Sequence, residues 1–131
     1  MTMRRWQSKR HLDNVRQLPC AVTQIDDDSV QAHHIKNIGG FSGAGLKAPD
    51  YMAMPLLAEI HSHLHIGTDS NREELVRLQP LMIFDTLTKL IRLAKLSVTP
   101  NMGFIFKGRT LDDLRQLDQM VKTNQITLEV F

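Results

Sequence analysis

The sequence predicts an α+β fold: a small mixed core with a helical C-terminal extension. Three observations carry that expectation. Two β-branched runs, Cys20–Ile25 and Ser29–Ile35, flank the turn signal Asp26-Asp27-Asp28. A stretch interrupted by Gly39, Gly40, Gly43, Gly45 and Pro49 then leads to a short helical pattern that Gly67 should stop. Beyond it, apolar residues recur with helical spacing over most of the second half. The organisation expected is a basic arm over 1–18, a core over 19–67 and an extension over 68–131 packed on that core.

The arm gathers Arg4, Arg5, Lys9, Arg10 and Arg16 against one acid, Asp13, with one aromatic, Trp6. A surface that follows phosphates has this composition, and so does a solvated helix with Trp6 packed on the body. From Pro19 to Ile35 the pattern is a β-hairpin, its three aspartates a wet connection rather than a cation site. The glycines of the next loop lack the spacing of a P-loop or a dinucleotide fingerprint, so they make no phosphate site by themselves. Tyr51–Leu56 is a short apolar, strand-like run, and Leu57–Ile66 a short helix.

In the extension, Asp69-Ser70-Asn71 offers N-caps, with Glu73 and Glu74 in the first turn. The apolar series Leu75, Leu78, Leu81, Met82, Phe84, Leu87, Leu90 and Ile91 predicts a long helix, which Pro80 should break or kink into two pieces. Thr110 opens another helix reaching about Thr123, and Ile126–Phe131 alternates like a terminal strand. Apolar stripes of this kind are core or a subunit interface more often than a ligand box. The segment from Glu73 to Leu96 is the candidate surface for a homodimer.

Composition narrows the classes. An apolar fraction of 42% in 131 residues suffices for one compact core. No apolar run approaches the roughly 20 residues that span a bilayer, so no membrane partner is expected. The N-terminus has no apolar secretory signal. Cys20 is the single cysteine, which excludes an intrachain disulfide and suits a reducing cytoplasm.

Five of the six histidines lie between Gln31 and Gly67: His33, His34, His61, His63 and His65. His61 and His65 are four apart, so a helix sets both imidazoles on one face. Adjacent His33 and His34 on a strand point to opposite sides of it. His61 and His65 with one of the adjacent pair could hold a divalent ion, while the other member of the pair stays free for another task. His63 faces away from the shared direction of its neighbours, and His11 reads as a core side chain. Nitrogen ligands favour Zn²⁺, Ni²⁺ or Mn²⁺ over Mg²⁺, which prefers oxygen.

The order of hairpin with His33-His34, glycine-containing loop and helix with His61-x-x-x-His65 resembles the HNH, or ββα-metal, endonucleases. The helix pair is similar to the His-x-x-x-His of the colicin DNases. The runs AHHI and GAGLKAPD resemble small phage- and prophage-encoded nucleases of the recombination-associated Ref-like group. The resemblance covers roughly Pro19 to Gly67. It implies a ββα-metal (HNH-like) core, hydrolysis of DNA phosphodiesters in recombination or DNA processing, and one divalent metal ion (Zn, Ni, Mn or Mg). By the same resemblance His33, His61 and His65 are ligands, His34 is the general base, and Asp50 occupies the position of the family's loop Asn, holding the loop or orienting the base. Nucleic-acid contacts are expected from Arg4, Arg5, Lys9, Arg10, Arg16, Lys36 and Lys47. Many such nucleases carry two Cys-x-x-Cys knuckles. Here Cys20 and Thr23 stand at the first and Leu57 and Ile60 at the second, so apolar packing with Cys20 buried beside them should replace a four-thiolate zinc. The alternative is a non-catalytic nucleic-acid- or protein-binding module in which the histidines form a structural metal site.

Overall fold

In the computed structural model the described residues are 5–41, 47–66, 70–101 and 108–131, without the side chains of 63–66, 70 and 71. The remainder of the glycine loop, Gly67, Asp69 and Arg4 lie outside this set. The elements, in chain order, are α1 (Lys9–Arg16), β1 (Val30–His34), a 3-10 turn (Asp50–Met52), β2 (Ala53–Leu57), α2 (Ala58–Ile66), α3 (Ser70–Arg92), β3 (Leu96–Thr99), α4 (Leu111–Lys122) and β4 (Thr127–Val130). The architecture is mixed α+β, with two two-stranded antiparallel sheets.

The strand partner differs from expectation. β1 pairs with β2, in the register His33↔Met54 and His34↔Ala53, and Cys20–Ile25 forms no strand. The physical reason is local. Gln24 takes φ 62°, and its N–H donates to the Cys20 carbonyl at 2.8 Å, which closes a turn. Val22 and Ile25 are left 41% and 47% exposed, so this run has no buried face to pair. β2 is buried along its whole length, which suits the apolar run AMPLL. The turn at Cys20 does dock on that strand: Ala21 N–H donates to the Pro55 carbonyl at 2.8 Å and Leu57 N–H to Cys20 Sγ at 3.4 Å. Cys20 and Leu57 are both buried, as the loss of the thiolate knuckles led one to expect.

Pro80 does not divide α3, which runs unbroken for 23 residues. A proline at this position leaves the Val76 carbonyl without its helical N–H donor. Gln79 fills the gap, its side-chain Nε2 donating to Val76 O at 3.0 Å. The buried side of α3 carries Val76, Ile83, Phe84, Leu87 and Leu90 against the β1–β2 core, together with Tyr51, Met52 and Met54.

The C-terminal part is less helical than expected. β3 and β4 pair antiparallel, Leu96↔Val130 through Thr99↔Thr127. α3 ends where Ala94 takes φ 58° and Lys95 N–H returns to the Leu90 carbonyl at 2.8 Å, turning the chain into β3. α4 opens on a capping box, Thr110 and Asp113 each binding the other's backbone N–H. Its Asp118 accepts the Tyr51 hydroxyl at 2.6 Å, which ties α4 to the turn that carries Asp50. Burial and the Asp118 carboxylate both push the Tyr51 phenol above its ordinary pKa, so it remains a neutral donor. No helix among the described residues is long and apolar enough to cross a membrane.

Candidate active site

Strand alternation sends the paired histidines to opposite sides of β1. His34 faces α1 and the 3-10 turn, where its Nε2 lies 2.8 Å from Asp50 Oδ1. Asp50 is 5% exposed and accepts two further hydrogen bonds, from Arg5 Nη1 at 2.8 Å and from the Ser8 N–H at 2.9 Å. The 3-10 turn is anchored from the same side by Asp50 N–H donating to the Trp6 carbonyl at 2.9 Å. Burial alone would raise the Asp50 carboxyl. The hydrogen bonds from His34, Ser8 and Arg5 outweigh it and hold the carboxyl below its ordinary value. Asp50 is therefore an anion at neutral pH, and an anion accepts the Nε2–H of a neutral imidazole. In the neutral form of the imidazole that bond selects the tautomer with its lone pair on Nδ1.

On the other side of the strand, His33 is 1% exposed and meets His61 of α2 edge to face, with ring centroids 4.5 Å apart. Each ring engages a glutamine oxygen. His33 Nε2 lies 3.2 Å from Gln79 Oε1, and His61 Nδ1 lies 2.7 Å from Gln31 Oε1. Gln31 stands two residues before His33 on β1, hence on the same side of it. A second-sphere oxygen on one imidazole nitrogen directs the lone pair to the other, the arrangement that prepares histidines as ligands. His65 stands four residues after His61 on α2, and its side chain, like that of His63, lies outside the described residues. Among the described residues, no group of three His, Cys, Asp or Glu side chains converges on one point. The described nitrogen donors that lie together are the two imidazoles of His33 and His61, and imidazole nitrogen as a donor suits Zn²⁺, Ni²⁺ or Mn²⁺ better than Mg²⁺.

The basic residues divide. Arg5 is part of the site rather than a free phosphate contact, being ion-paired to Asp50. Lys9 and Arg16 both pair with Asp13 on the exposed face of α1. Arg10, Lys36 and Lys47 are exposed. Arg4 lies outside the described residues.

His11, 0% exposed and edge-on to Trp6 at 5.4 Å, sits behind Asp50 and has no hydrogen-bond partner for either ring nitrogen among the described residues. Burial lowers its pKa from 6.5 to about 4, while Asp50 pulls it up and His34 pushes it down. It is a neutral core imidazole, as its isolation in the sequence suggested.

Both histidine clusters, Asp50 and Gln79 fall inside residues 2–93, the span matched by the family model described as "Protein of unknown function (DUF968)". The chain belongs to this family. No curated protein and no solved structure matches the chain. The DUF968 span runs from the arm through α3 and includes every element that carries a residue of the candidate site, whereas β3, α4 and β4 follow it.

Sequence reasoning missed Gln79, Gln31 and the role of Arg5. Gln79 was legible in one respect: it stands in register with Val76, Ile83 and Leu87, a polar residue on the buried stripe and adjacent to a helix proline. Nothing in the spacing of Gln31 or Arg5 pointed to their partners, which are brought near only by tertiary packing.

Proposed function

We propose that this protein is a metal-dependent endonuclease that hydrolyses DNA phosphodiester bonds, acting in a reducing, cytoplasmic setting. The observation that carries the reading is the His34–Asp50 bond, set on one side of a strand whose adjacent residue, His33, pairs with His61 on the other. A base oriented by a buried anion beside a nitrogen-rich cation site is what phosphodiester hydrolysis requires.

His34 Nδ1 takes a proton from the attacking water as the water oxygen bonds to phosphorus and the bond to the 3′ oxygen breaks. Asp50 holds the imidazole by Nε2 and stabilises the imidazolium that forms, while Arg5 and Ser8 keep the carboxylate ionised and fixed. Lys36, exposed two residues after His34, neutralises phosphate charge. His33, His61 and His65 would hold the divalent ion, which supplies Lewis-acid stabilisation of the charge that develops on the phosphate and leaving oxygen. The reading is tested with metal-stripped protein on supercoiled plasmid and circular single-stranded DNA, adding Mg²⁺, Mn²⁺, Ni²⁺ or Zn²⁺ separately. Cutting that depends on one of these ions supports it, and intact DNA under all four removes it. In that case the cluster is a structural metal site of a binding module.

A further inference from the structure

A cavity of about 300 Å³ lies between the segment after β1 and the first turns of α3, lined by Asn37, Ile38, Arg72, Glu73, Val76 and Arg77. Its volume is at the lower end of small-molecule sites, which run from about 300 to 1,000 Å³. A single nucleotide unit suits such a space. Its lining combines apolar contacts from Ile38 and Val76, against which a base can lie, with the guanidinium groups of Arg72 and Arg77 and the amide of Asn37. Glu73 is the one carboxylate among the six.

One side chain links the cavity to the candidate site. Gln79 Nε2 donates to the Lys36 carbonyl at 2.7 Å and to the Val76 carbonyl at 3.0 Å, pinning the backbone of both walls. Its Oε1 accepts from Lys36 N–H at 3.0 Å and lies 3.2 Å from His33 Nε2. The amide beside a candidate ligand imidazole therefore also bridges Val76 of one wall to the residue that precedes Asn37 of the other. Lys36, exposed at the edge between the two, extends the positive charge towards His34.

We infer that this cavity seats one nucleotide of a single DNA strand, with its phosphate on Arg77 and its base against Ile38 and Val76, next to the site proposed to cut the strand. The inference rests on the endonuclease reading only for its choice of a nucleic acid as occupant. Arginine is suited to phosphate because its planar fork makes two parallel hydrogen bonds. Each phosphate contact releases condensed counterions, so binding must weaken with salt in proportion to the contacts made.

The test measures fluorescence anisotropy of a labelled twelve-nucleotide single strand with the full chain in EDTA, where hydrolysis plays no part. Arg77→Ala is expected to weaken binding about tenfold at low salt and to flatten the slope of log K against log[NaCl] by about 0.7. Glu73→Gln is expected to tighten binding about threefold. Arg115→Ala, which removes the same charge from the exposed face of α4, should leave both quantities unchanged. Circular dichroism confirms that each variant is folded. The inference is overturned if the wild type does not bind the strand, if Arg115→Ala matches Arg77→Ala, or if a blunt duplex binds as tightly as the single strand. Arg77-dependent binding without cleavage under any ion leaves the cavity assignment standing and removes the nuclease reading. Cleavage with no Arg77 effect on binding does the reverse.

Discussion

His11 provides a prediction that can be worked through from the structure. Its imidazole is fully buried and neutral, and burial moves its pKa from 6.5 to about 4. Between these values the unfolded chain binds a proton that the native chain refuses. The stability contributed by neutral His11 is therefore complete above pH 6.5 and is lost as the pH falls towards 4. Integration from pH 7.5 to 4.5 gives a loss of about 2.5 kcal/mol assignable to this one residue. His11→Leu removes the titration while keeping an apolar side chain of similar bulk. Neither ring nitrogen has a hydrogen-bond partner among the described residues, so the substitution should change stability at pH 7.5 by no more than about 1 kcal/mol, the scale of the lost Trp6 contact. Urea unfolding at pH 7.5, 6.5, 5.5 and 4.5 measures both proteins. The range stops above the window in which Asp50 titrates, and other groups cancel in the difference. Wild type and variant should diverge by about 2.5 kcal/mol between the ends of that series, the wild type falling more steeply. Parallel curves would refute the placement of His11 as a desolvated imidazole behind Asp50.

Further outcomes follow from Asp50 on one side of β1 and Gln79 on the other. Asp50→Asn keeps the shape of the side chain but removes the anion that fixes the His34 tautomer; steady-state plasmid cleavage should lose about 10²–10⁴-fold in kcat with little change in KM. The wild type also carries an acid-sensitive component from Asp50. Its carboxyl is held below the ordinary value, so that stability is present above about pH 4 and is lost as the pH falls through the folded value; Asp50→Asn should lack this component in acid unfolding. Gln79→Ala leaves the Val76 carbonyl and both Lys36 backbone groups without their side-chain partner and should cost about 3 kcal/mol in urea unfolding. Adding Pro80→Ala to that variant restores a helical N–H for Val76 and should recover about 1 kcal/mol, which equal stability of the single and double variants would contradict.

The parts of this molecule that were legible in advance are those set by local chemistry. The Thr110 cap, the amphipathic period of α3 and α4, and the opposite facing of His33 and His34 all follow from sequence spacing. The family resemblance gives Asp50 the part of holding the loop or orienting an imidazole, and the structure brings its carboxylate to His34. What escaped was governed by pairing over distance. The β-branched run at Cys20–Ile25 has the composition of a strand, but β2 offers a fully buried apolar partner and outcompetes it for β1. Pro80 should interrupt a helix, and it would, were Gln79 not at hand to take the carbonyl it abandons. The arm's arginines read as phosphate contacts because composition does not show that Arg5 meets Asp50, forty-five residues away. Leu96–Thr99 was hidden because its partner strand is the last element of the chain.

The central claim is that His34 is a base and the histidines across the strand are ligands, two separable roles on adjacent residues. The direct measurement compares wild type with His34→Ala for plasmid cleavage and, by isothermal titration calorimetry, for binding of the ion that supports cleavage. Abolished cutting with ion affinity unchanged is the predicted result. Equal cutting by the variant, or loss of ion binding along with activity, would contradict the division of labour across β1.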